Sequence, residues 1–116
     1  MPFPVDAVSF RRVVLGLSVG VLGAVLVGAG LYSPTPAVAG ATALLSVVLA
    51  AQGLLPFGDT VAYHVLQGAT FALWGLALFV GGQLGLVSGA VTAVGLLGTL
   101  NYGVRALREG PWTTVN

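Results

Sequence analysis

Gln52, His64, Gln67 and Asn101 are polar side chains set into runs of Ala, Val, Leu and Gly. Gln52 stands four residues before Pro56, His64 four after Thr60, and Asn101 four before Arg105. At about 1.5 Å per helical residue, each falls roughly 6 Å inside the same boundary if those runs are helices. His64 and Gln67, three apart, share a helix face. The four define a candidate polar layer with Arg105 just below it. Amides and imidazoles in hydrocarbon seek partners, and such groups can line the path of an ion or a polar substrate. They can equally hydrogen-bond across helices to fix packing, at about 0.6 kcal/mol on average. Packing is the expectation, and a polar path is the alternative.

Other chemistry is poorly supplied. There is no Cys, which excludes disulfides, thiol catalysis and thiolate metal sites. One His without a carboxylate in the apolar runs falls short of the three or four ligands of a metal site. A haem held by two imidazoles would need His64 from two copies and is not expected. Ser18, Ser46 and Ser88 have no base placed to activate a nucleophile. Trp74, with Phe71 and Leu78 on a related face, reads as packing or lipid contact. The sequence therefore predicts neither an enzyme nor a bound cofactor.

The small residues have a regular spacing. Gly16, Gly20, Ala24 and Gly28 recur every fourth position, as do Gly85, Gly89 and Ala93, and Gly68 and Ala72 are followed by Gly75. In lipid, helices associate through close backbone approach and van der Waals contact, and rows of small residues permit both. These ten positions are expected to be packing seams, inside the chain or against a partner.

The elements that carry these residues follow from composition. The chain has 116 residues, 57% hydrophobic and 6% charged, against about 25% charged in an ordinary soluble domain. So few charges cannot cover a water-facing surface. The class is an all-α integral membrane protein, a single domain over 1–116. The net charge of +1 gives no reason to expect a nucleic-acid partner.

Four uncharged stretches, 13–32, 37–55, 60–80 and 84–104, are each long enough to cross roughly 30 Å of hydrocarbon as a helix. Ser33-Pro34-Thr35-Pro36, Pro56-Phe57-Gly58-Asp59 and Gly81-Gly82-Gln83 break them, and Gly110-Pro111 ends the last. Such short loops predict four antiparallel transmembrane helices, with residues 1–12 as an interfacial lead-in. Arg11–Arg12, the first apolar run and Ala37-Val38-Ala39 imitate a secretory signal, but that run is longer than a signal core and more spans follow.

Arg11 and Arg12 precede the first span, and Arg105 and Arg108 follow the fourth. An even number of spans puts all four on one side, so both termini are expected in the cytoplasm, in the cell membrane or one derived from it. Tyr63, Tyr102 and Trp112 at the inner boundary and Tyr32 at the outer one fit an aromatic belt. At an offset of 49 residues, Val38-Ala39-Gly40-Ala41 matches Val87-Ser88-Gly89-Ala90, a faint sign of duplicated hairpins. The size and span number are similar to those of small multidrug exporters. Those carry a carboxylate in their first helix, where this chain has none. The leading expectation is a small structural or accessory subunit. It would pack in the bilayer against itself or other membrane subunits, with an oligomeric channel or transporter as the alternative.

Overall fold

The computed structural model describes residues 5–31, 33–81 and 85–115. Tyr32 and the expected start of the fourth helix at residue 84 lie outside the described residues. Of the described residues 79% are helical, in four α-helices and two short 3-10 turns. Helix α1 spans Phe10–Gly28 and begins three residues earlier than expected, because Ser9 caps it: the Ser9 hydroxyl accepts from Arg12 N–H. Arg11 and Arg12 thus sit within the first helical turn. The chain leaves α1 through Gly30 at φ +75°, a left-handed conformation that suits glycine.

Thr35 caps α2, Pro36–Ala50, through a bond from Val38 N–H, with Pro36 at the first position where no N–H is needed. Helix α2 stops five residues short of the expected 55. A 3-10 turn Ala51–Gly53, the strand β2 at Leu54–Pro56 and a second 3-10 turn Phe57–Asp59 take its place. The cause is packing on the start of α1. Ser9 N–H donates to Gly53 O at 2.6 Å, and a Cβ on Gly53 would press on Val13 and the Ser9 carbonyl. Thr60 caps α3, Val61–Val80, accepting from Tyr63 N–H. Helix α4 covers Gly85–Glu109, beyond the expected 104, and ends where Gly110 turns to φ +95°.

Residues ahead of α1 do more than lead in. The strand β1, Val5–Val8, pairs antiparallel with β2, setting Val5 opposite Pro56, Ala7 opposite Leu55 and Val8 opposite Leu54. The register is irregular at Asp6.

Helix α1 packs on α2, α2 on α3, and α3 most extensively on α4, while α1 and α4 barely meet. The four helices form an open row. Between α1 and α2, Gly16 meets Leu49 and Ala50, Gly20 meets Ser46, and Gly23 approaches Thr42. Residue numbers rise along one helix as they fall along the other. Val38 and Ala41 of α2 bury against Ala77 and Leu78 of α3, with Trp74 beside them. All four helices (the second counted as Pro36–Gly53) are long and apolar enough to cross a membrane. Their outward faces carry large apolar residues, with Leu86 and Leu107 each 90% exposed.

Candidate functional site

One end of the row gathers the start of α1, the α2–α3 connection, the end of α4 and the C-terminal tail. The first N–H groups of any helix lack partners within it. For α3 the tail supplies them: Val61 N–H donates to Thr113 O and Ala62 N–H to Pro111 O, both at 2.8 Å. Val115 N–H returns a bond to Asp59 O at 2.9 Å, and Thr60 forms a bridge with Thr114.

Arg105 holds the tail from the other side, donating to the Thr114 and Val115 carbonyls at 3.3 Å and to Glu109 at 2.9 Å. Arg12 Nη1 donates to Asp59 Oδ1 at 3.0 Å, tying α1 to the same turn. Beneath lies a small aromatic core. The fully buried Tyr63 donates its hydroxyl to Val48 O at 2.7 Å and meets Phe57 edge-on at 5.5 Å. Phe57 in turn lies 6.3 Å from Trp112.

The candidate polar residues lie on three elements around this end. His64 Nδ1 lies 2.9 Å from Thr60 O. A carbonyl only accepts, so in the neutral ring Nδ1 carries the hydrogen and Nε2 is left as an acceptor. The ring packs 5.0 Å from Tyr102 and 5.6 Å from Tyr63. Gln52 is on the 3-10 turn rather than on α2, with its backbone pressed against Gly58. Gln67 is half-buried on α3, and Asn101 is exposed on α4. None of the four hydrogen-bonds to another among the described residues. Arg105 is committed to the tail and Glu109.

The small-residue rows divide sharply. Added Cβ atoms at Gly16 and Gly20 would overlap the α2 backbone and the Ser46 side chain. Further along the row, Ala24 and Gly28 line an open apolar groove of about 440 Å³ with Val27, Pro34 and Thr42. Gly68, Ala72 and Gly75 face α4, where they meet Thr99, Gly95 and Thr92. The matching row on α4 is therefore Ser88, Thr92, Gly95 and Thr99. Gly85, Gly89 and Ala93 lie away from that contact: all three are exposed, and a Cβ on either glycine would touch nothing within 4 Å.

Sequence reasoning missed the hydroxyl residues of the α4 row. Thr92 and Thr99 each donate to the carbonyl four residues back, and Ser88 to Gly85 O, so they pack as small apolar groups. Counting Ser and Thr as small would have shown their spacing of four, three and four.

Three further hydrogen bonds join the helices. Ser46 Oγ donates to Gly16 O and accepts from Gly20 N–H, both at 3.1 Å, and Trp74 Nε1 donates to Thr42 Oγ1 at 3.0 Å. Among the described residues no group of three or more His, Cys, Asp or Glu is placed to hold a metal. Compared with known proteins, the chain matches no family, no curated protein and no solved structure.

Proposed function

We propose that this protein is a small non-enzymatic structural or accessory subunit of a membrane. It crosses the bilayer four times with antiparallel neighbours and both termini in the cytoplasm. It packs laterally against further copies or other membrane subunits. The observation that carries this reading is the open row. Helices α1 and α4 each pack on one neighbour and leave apolar flanks bare. Helices in lipid gain from contact along such flanks wherever a partner allows close approach.

Several of the polar groups support the same reading. Ser46, Trp74, Thr92 and Thr99 are bonded within or between helices, and His64 is held by Thr60 and flanked by Tyr102. Side chains bound in this way stiffen contacts rather than line a water-filled path. The grooves are apolar as well, one of about 440 Å³ between α1 and α2 and one of about 420 Å³ between α2 and α3. The four arginines gather at the end that holds the C-terminal tail, and the positive-inside preference favours the cytoplasm for that side.

The test is native mass spectrometry of the protein released gently from its own membrane. The expected result is release with further copies or with different membrane subunits attached. A bare monomer under conditions that keep other complexes intact would overturn the proposal.

A further inference from the structure

Among the described residues the amides of Gln52, Gln67 and Asn101 have no hydrogen-bond partner, and Asn101 is the exposed one of the three. It lies two residues past Thr99, which faces α3, and so roughly 200° round the helix, on the far side. It is exposed, and no hydrogen bond to its amide is found among the described residues. Its surroundings are apolar along the helix in both directions. Val94 is 69% exposed, Leu97 66% and Val104 48%. On the reading of four bilayer crossings, this puts a bare carboxamide against lipid tails, about one helical turn inside the Arg105 boundary. The hydroxyls of Ser46, Ser88, Thr92 and Thr99 and the indole of Trp74 each have a partner. A carboxamide facing hydrocarbon forfeits hydrogen bonds that water would have supplied, and helix association is the usual remedy.

We infer that Asn101 is the centre of a homodimer contact in which α4 packs on α4 of a second copy. The occupant follows from the chemistry of the amide. A carboxamide carries donor and acceptor together, so two of them related by a twofold axis satisfy each other. Copies inserted in the same direction bring each residue to the same depth as its counterpart, so Asn101 meets Asn101. Position 98, three residues earlier, is a glycine whose missing Cβ would touch nothing within the chain. Its lack of a side chain lets a second backbone come near. Arg108, two turns towards the end of α4, reaches the headgroup zone, where water and anionic lipid screen its like-charged counterpart.

This inference rests on the proposed lateral packing and names its partner as the chain itself. The test is single-molecule photobleaching or resonance energy transfer in liposomes across a range of protein-to-lipid ratios. The wild type and Asn101→Leu are compared, since leucine keeps bulk and removes the amide. The expected result is a wild-type dimer and an association of the variant weaker by roughly three- to tenfold, the scale of about 0.6 to 1.4 kcal/mol for such bonds. The absence of Cys adds a geometric readout: Val94→Cys and Leu97→Cys should crosslink between copies on oxidation, and Val21→Cys on α1 should not.

A dimer that Asn101→Leu leaves intact, or that crosslinks at Val21→Cys instead, overturns this interface and leaves self-association standing. A monomeric wild type overturns the homodimer. The lateral-packing reading is then decided separately, by whether different subunits are released with the protein.

Discussion

Ser46 reaches the α1 backbone because positions 16 and 20 carry no side chain. Its hydroxyl then serves a carbonyl and an N–H one helical turn apart, at 3.1 Å each. A methyl group at position 16 would occupy the space of the Ala50 and Leu49 backbone, which cannot swing aside as a side-chain tip can. Gly16→Ala is therefore expected to lower stability by about 1–3 kcal/mol, the range for overpacked sites. Gly103→Ala, where a Cβ meets nothing within 4 Å, should be neutral or raise stability by up to about 1 kcal/mol. Thermal unfolding of both variants in the same detergent checks the contrast, and equal losses would contradict it. The four-residue spacing made Gly16 and Gly20 legible as a seam. That spacing carries no direction, however, so it could not tell Gly16, pressed on α2, from Gly89, which faces outward.

At the scale of elements, the strongest departure from expectation is the polar end. Four long apolar helices were readable because each apolar run is bounded by Pro, Gly or charge. The pairing of β1 with β2 was not readable. Its partners lie about fifty residues apart, and the short run Val5–Val8 has no alternation that marks a strand. The tail was equally hidden, since it contributes backbone carbonyls rather than a residue type. Its role makes a prediction. In a chain ending at Gly110, the amides of Val61 and Ala62 lose their acceptors, and their hydrogen exchange should quicken by at least tenfold, with mid-helix amides of α3 little changed. Unchanged protection at both would show that the tail does not cap α3. The Arg12–Asp59 pair beside it is more than a third exposed on both sides. It contributes no more than about 1 kcal/mol and acts chiefly as a positional tie.

For the whole molecule, an open row differs from a closed bundle in what it leaves to its surroundings. A ring of four helices would bury one stripe of each against the others, whereas here the end helices meet one neighbour each. Composition shows that the surface is apolar but not which residues lie on it. Which of the four candidate polar side chains face one another was not legible for the same reason. Depth along a helix can be counted from sequence, but rotation about the axis is set by packing, and it turns His64 towards Tyr102 and Asn101 away from α3.

The most direct test of four crossings with the tail-bearing end in the cytoplasm is cysteine labelling in intact cells. It uses Asp6→Cys, Ser33→Cys and Thr114→Cys, made one at a time in this Cys-free chain, and a maleimide that cannot cross membranes. The account predicts that Ser33→Cys is labelled from outside, and that Asp6→Cys and Thr114→Cys are labelled only after permeabilisation. Labelling of Asp6→Cys or Thr114→Cys from outside, or protection of Ser33→Cys, would contradict it.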